Sequence, residues 1–207
     1  MKVAIVDYGM GNLGSVRRAL AELSVDAIIA GHPEQLAAAD RLILPGVGSF
    51  SDGMALLTQG GWREAIRHQT LELGKPLLGI CLGMQLLASR GSEGGETPGL
   101  DLIPGQVSRL DTLGCALHIP HVGWNAISRT DDDELFSGIP DGTDFYFVHS
   151  YAFRPTREEH ALAHTDYGIQ VVAAVGTGNI LGTQFHPEKS SKAGFRVLRN
   201  FLERKPC

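Results

Sequence analysis

PLLGICLGMQLLASR, residues 76–90, sets two structural periods against each other at one cysteine. Residues 76–80 form a short, continuous apolar run behind a proline, the pattern of a strand buried on both faces. From 82 to 90 the apolar positions follow helical spacing. Cys81 therefore sits at a strand-to-helix junction. Upstream, KVAIVDY (2–8), DAIIA (26–30) and RLILP (41–45) repeat the buried-strand pattern. Between them NLGSVRRALAEL (12–23) reads as a helix and 33–39 as a short one, and a helical region broken at Gly60–Gly61 leads to residue 76. Strands alternating with helices predict a parallel sheet covered on both faces. Downstream the pattern changes. Strands are expected near 105–110, 116–121, 144–149, 161–165, 170–175 and 179–185, with a last helix over 191–203. The expectation is one α/β domain over 1–207: an open, mainly parallel sheet with helices on both faces and an antiparallel extension.

Composition narrows the function classes. Of 207 residues, 43% are hydrophobic and 20% charged, ordinary for a globular domain. No apolar run approaches the ~18 residues of a membrane span. MKVAIVDYGMGN carries no signal-peptide cleavage pattern. A net charge of −5 with scattered Lys and Arg argues against a nucleic-acid surface. Cys81, Cys115 and Cys207 are an odd count without CxxC spacing, which disfavours a disulfide framework and a zinc site. The expected compartment is the reducing cytoplasm. Glycine, at 26 residues, is nearly double its usual ~7%, so tight turns or close approach of backbone to a ligand are expected. GSEGGETPGLD (91–101) and the acidic run 131–134 read as solvated loops without a catalytic role.

The cysteine is the first chemical landmark. Gly79 and Gly83 flank Cys81 as G-x-C-x-G, the cysteine form of a nucleophile elbow. Side chains two residues either side of a strained turn would collide with backbone, and glycine removes them. A helix N-terminus beside the sulfur favours thiolate over thiol. The base is sought among eight histidines. His186 in GTQFHPEKS follows a predicted strand, at the sheet edge where open α/β folds build sites. Glu188, two positions on, is placed to orient the imidazole, and Pro187 stiffens the link. For an oxyanion hole, the Leu82 N–H follows the nucleophile, and Pro45-Gly46-Val47-Gly48 can turn a second N–H, at Val47 or Gly48, toward the pocket. His118 and His121 in HIPH lack further ligands, so no metal is expected. GMGNLG (9–14) fits the dinucleotide fingerprint, but DAIIA ends without the acidic residue that would bind the ribose, so no such cofactor is expected.

Together these residues resemble the class I (triad) glutamine amidotransferases. GICLGMQLL is similar to their nucleophile segment and FHPE to their His-x-Glu segment. YGMGNLGSV (8–16), LPGVGSF (44–50), PHVGWN (120–125) and YFVHSYAF (146–153) narrow the resemblance to members that work beside a separate (β/α)₈-barrel cyclase subunit. The resemblance implies a flavodoxin-like core and a Cys81–His186–Glu188 triad that hydrolyses glutamine through a γ-glutamyl thioester. Gly48, Gln85, Ser150 and Tyr151 match positions that grip the glutamine. It also implies a heterodimer in histidine biosynthesis, ammonia passed to the cyclase, and Trp124 with loop 9–14 on the partner-facing side. A free-standing cysteine hydrolase with the same triad, or a non-catalytic binding module, are the two other readings of the residues.

Overall fold

Val3 and Ile5 point to one face of the central sheet and Ala4 and Val6 to the other, and all four are fully buried. That is the two-residue period of a strand with no solvent face. In the computed structural model, which describes residues 1–130 and 132–205, it is the first of a nine-stranded sheet. The strands are β1 (Lys2–Val6), β2 (Asp26–Ala30), β3 (Arg41–Gly46), β4 (Leu77–Cys81), β5 (Arg90–Gly91), β6 (Thr97–Pro98), β7 (Gly105–Arg109), β8 (His121–Arg129), β9 (Asp144–His149), β10 (Tyr151–Pro155), β11 (Ala161–Asp166), β12 (Gln170–Thr177) and β13 (Ile180–Thr183). The helices are α1 (Leu13–Glu22), α2 (Phe50–Gln59), α3 (Trp62–Arg67), α4 (Leu82–Leu86) and α5 (Ser191–Glu203). Among the described residues no helix is long and apolar enough to cross a membrane.

The large sheet runs β2-β1-β3-β4-β13-β12-β11-β8-β9. Neighbours from β2 to β13 pair in parallel, and those from β13 to β9 pair antiparallel. The expected parallel sheet with an antiparallel extension is therefore present. A second, four-stranded sheet, β10-β7-β5-β6, lies beside it. One core cluster packs α2, α3 and α4 (Phe50, Met54, Trp62, Leu86) against the sheet, and the other packs α1 and α5 (Val16, Leu20, Val197, Phe201). Helices thus cover both faces.

Several boundaries differ from expectation. No strand forms over 116–120; the segment is irregular, with a cis Ile119–Pro120 bond, and the strand begins at His121 and runs to Arg129. α4 ends near Leu86 rather than 90, because the chain turns to enter β5. The stretch 91–101 is not only loop, since β6 lies in it. Asp131 and Cys207 lie outside the described residues.

Candidate active site

Two adjacent strands bring the candidate residues together. β4 ends at Cys81, and β13, paired to it with Thr183 opposite Ile80, ends three residues before His186. On the other side of β4, Gly46 stands opposite Cys81, which sets the Pro45–Gly48 segment beside the sulfur.

Cys81 has φ +55° and ψ −110°, a left-handed conformation that costs a non-glycine residue of order 1–3 kcal/mol. The surrounding glycines show what holds it. A Cβ on Gly79 would lie 2.6 Å from the Gly83 carbonyl oxygen, and one on Gly83 only 1.8 Å from the Leu44 carbonyl oxygen. The elbow can be this tight only because both side chains are absent. Around the sulfur, Sγ lies 3.7 Å from the Val148 carbonyl and 3.8 Å from Nε2 of Gln184.

His186 and Glu188 meet with Nδ1 2.8 Å from Oε1, both side chains almost wholly buried. Their contact comes from a single 3₁₀ turn over Pro187–Lys189, not from extended alternation. That turn is pinned: Ser190 donates its hydroxyl to the His186 carbonyl, and the His186 N–H donates to Tyr146 on β9. Nε2 of His186 makes no hydrogen bond of ordinary geometry within the fold. Burial alone would lower the His186 pKa, but the approach of Cys81 and the bond to Glu188 outweigh it and raise the value to about 9.

Cys81 and His186 line one cavity of about 350 Å³, whose wall also includes Val47, Gly48, Leu82, Gln85, Ser150 and Tyr151. Every residue that the sequence reading assigns to the triad, the oxyanion hole or the grip on glutamine is therefore on this wall, except Glu188, which reaches it through His186. Gln85 donates both amide hydrogens inward, to the Tyr151 carbonyl and to Oε1 of Gln184, at 3.0 Å each. What it can offer a ligand is its carbonyl oxygen. The expected loop 9–14 ends at Asn12, where α1 begins, and it packs directly on the candidate oxyanion segment: a Cβ on Gly48 would meet Met10 at 2.4 Å, and one on Gly11 would meet Pro45 at 3.3 Å.

Sequence reasoning passes over Glu93, and places His149 only at a strand end, bordering a pocket through its backbone neighbours. Glu93, in the stretch read as loop without a role, stands on the cavity wall and accepts the Phe50 N–H at 2.7 Å. One carboxylate in a glycine-rich segment is too weak a signal to have marked it. His149 lines the cavity itself and pairs with His121 of the HIPH motif. Among the described residues no cluster of three or more potential metal ligands forms.

A family model described as glutamine amidotransferase class-I matches residues 4–205. The imidazole glycerol phosphate synthase subunit HisH of Moorella thermoacetica is 51% identical over 201 residues, covering 97% of this chain and 94% of its own. The protein of the same name from Methanosarcina mazei is 48% identical, covering 98% of each chain. Two solved structures, described as a glutamine amidotransferase and as PurLQS from Thermotoga maritima, each superpose with a TM-score of 0.76 over 97% of both chains. At 24% and 17% identity they speak to the fold alone.

Proposed function

We propose that this chain, which belongs to the class-I glutamine amidotransferase family, is the glutaminase subunit of an imidazole glycerol phosphate synthase. One observation carries the chemistry: Cys81, held at φ +55°, shares a cavity with His186, whose Nδ1 lies 2.8 Å from Glu188. The relatives' shared name supports the choice of member within the family.

The reaction runs as an acyl transfer in two halves. The Cys81 thiolate attacks the carboxamide carbon of glutamine, and the developing oxyanion is met by the Leu82 N–H and an N–H of Val47 or Gly48. A His186 protonated at neutral pH, as its raised pKa provides, gives that proton to the departing nitrogen. The C–N bond breaks, ammonia leaves, and a γ-glutamyl thioester remains. His186, now neutral, takes a proton from water, which attacks the thioester, and the C–S bond breaks to release glutamate. Glu188 holds the imidazole tautomer and stabilises its cation. Gly48, Gln85, Ser150 and Tyr151 hold the substrate, and Glu93 offers the α-ammonium a carboxylate.

Ammonia then passes to a (β/α)₈-barrel cyclase subunit, which completes a step of histidine biosynthesis in the cytoplasm. The exposed face of β8 suits a docking partner: Val122 and Trp124 are each 55% exposed and stand opposite Val148 and Tyr146 of β9. Val47, 43% exposed, lies on the cavity wall with Val148, so the same face borders the site. A subunit that was always active would waste glutamine. Loop 9–12, packed on Pro45–Gly48, can carry docking to the oxyanion segment, and one missing oxyanion donor costs about 10²–10³ in rate. Glutaminase rates of the chain alone, with the barrel subunit, and with barrel and nucleotide test this reading. A rise across the series is expected. Equal rates in all three would remove the gate, and no activity in any would remove the glutaminase.

A further inference from the structure

The buried histidines His121 and His149 stand opposite each other at the ends of β8 and β9. His121 Nδ1 is 3.0 Å from His149 Nε2, and His149 Nδ1 is 2.8 Å from the Tyr151 carbonyl oxygen. On the far side, Asn125 Nδ2 is 3.4 Å from His121 Nε2 and donates to the Asp166 carbonyl at 2.7 Å.

The donors can be assigned from either end. A carbonyl only accepts, so His149 carries its proton on Nδ1 and accepts at Nε2. His121 must then donate from Nδ1, which leaves Nε2 as an acceptor. Independently, Oδ1 of Asn125 accepts the Ala126 N–H at 2.9 Å, so the amide nitrogen is what Asn125 presents to His121. The two assignments agree on one direction, Asn125 to His121 to His149 to Tyr151. Stacking fixes the middle: the His121 ring lies between Phe147 and Tyr167, at centroid distances of 4.9 and 4.0 Å and interplanar angles of 16° and 20°. Burial lowers both histidines far below their ordinary value, which keeps them neutral as the chain requires.

The chain ends where the substrate wall begins. Tyr151 and Ser150 line the cavity, and the same Tyr151 carbonyl accepts from Gln85, which also lines it. Gln85 continues to Gln184, whose amide lies 3.8 Å from the Cys81 sulfur. The Tyr151 peptide is therefore clamped by two donors, one from the nucleophile's helix and one from β9.

We infer that His121 and His149 are positioning residues for glutamine: a one-way hydrogen-bond chain, with both ring protons on Nδ1, fixes the Ser150–Tyr151 wall of the substrate cavity from behind. This rests on the glutaminase reading for its kinetic consequence but not for its tautomers. Long-range ¹H–¹⁵N NMR of the full chain at neutral pH should show His121 and His149 neutral and protonated on Nδ1, the minority form of free histidine. A proton on Nε2 of either ring would overturn the chain. His121→Phe keeps the stacking and removes the donor, and should raise the KM for glutamine of the order of 5–10-fold, as expected for one lost hydrogen bond, with a smaller change in kcat. His121→Asn places an amide N–H near the position of Nδ1 and should recover most of that loss. Equal KM values in the two variants, or a lowered Tm with KM unmoved, would reduce the pair to a structural role. The NMR measurement needs no variant, so it decides the proposal even where His121→Phe fails to fold. Absence of glutaminase activity in the unaltered chain assembled with the barrel subunit and nucleotide would count against the glutaminase reading and leave the tautomers to be judged separately.

Discussion

A methyl group on Gly83 would sit 1.8 Å from the carbonyl oxygen of Leu44, an overlap with backbone that no rotamer can relieve. Gly83 is the second residue of the helix behind Cys81 and Leu44 precedes the Pro45–Gly48 segment, so this contact sets the spacing of two walls of the cavity. Gly83→Ala should destabilise the fold by at least the ~1–3 kcal/mol typical of overpacking, seen as a lowered Tm and a slower active-site alkylation. Gly14, the exposed second residue of α1 with open space around it, is the contrast. Gly14→Ala should stabilise by about 0.4–1 kcal/mol, by restricting the unfolded chain at a position whose surroundings accept a side chain. A Tm for Gly83→Ala equal to that of the unaltered chain would mean that the elbow is not held this tightly.

Cys81→Ala should abolish glutamine-dependent turnover and leave synthesis from added ammonium salts in the assembled complex. The acceptor chemistry belongs to the partner under the proposed division of labour. An assay with either nitrogen source reads this directly; loss of both activities with the complex intact would contradict it.

The recognisable part of this protein was the part whose physics is local. β1, β3 and β4 are continuous apolar runs because both their faces are buried, half-buried β2 at the sheet edge keeps the same run, and the G-x-C-x-G elbow announces itself because only glycine fits beside it. β8 escaped notice for the opposite reason. HVGWNAISR mixes exposed Val122 and Trp124 with buried His121 and Ile127, and so shows neither an apolar run nor a clean alternation. β10 is missing from the expectation because the strand expected over 144–149 ends at the right place, and nothing in SYAF marks that the chain starts a new strand in the other sheet at Tyr151. His186 and Glu188 were legible from the FHPE motif, although a 3₁₀ turn rather than an extended strand joins them. Glu93 and the His121–His149 pair were not, because each becomes meaningful only through a contact distant in sequence.

His186→Ala should cost at least the ~10²–10⁴ of general acid–base catalysis, and more if the triad acts as a unit. Glu188→Gln should cost less, because Glu188 orients a ring that is also pinned through its backbone by Ser190 and Tyr146. Single-turnover thioester formation separates the two. A larger loss for Glu188→Gln than for His186→Ala would reverse their roles.

Acid and alkali should destabilise the fold through different histidines. Burial lowers the pKa of His121 to about 4 and of His149 to about 3, while both return to about 6.5 when unfolded. Folding therefore favours their neutral forms. That stability is present above pH ~6.5 and is lost as pH falls toward the folded values, because the unfolded chain binds the protons first. At ~1.4 kcal/mol per pKa unit, the two together take up to about 4 kcal/mol by pH ~5. His186 has the opposite sign. Burial lowers its pKa, but Cys81 and Glu188 raise it further, to about 9. Its contribution is complete below pH ~6.5 and is lost as pH rises through about 9, worth up to about 3 kcal/mol by the same conversion. Thermal unfolding between pH ~4.5 and ~10 should thus give a maximum near pH ~6.5. His149→Asn should flatten the acid limb alone, and His186→Asn the alkaline limb alone. Flattening of the alkaline limb by His149→Asn would show that the buried pair carries a proton at neutral pH, against the geometry of its hydrogen bonds.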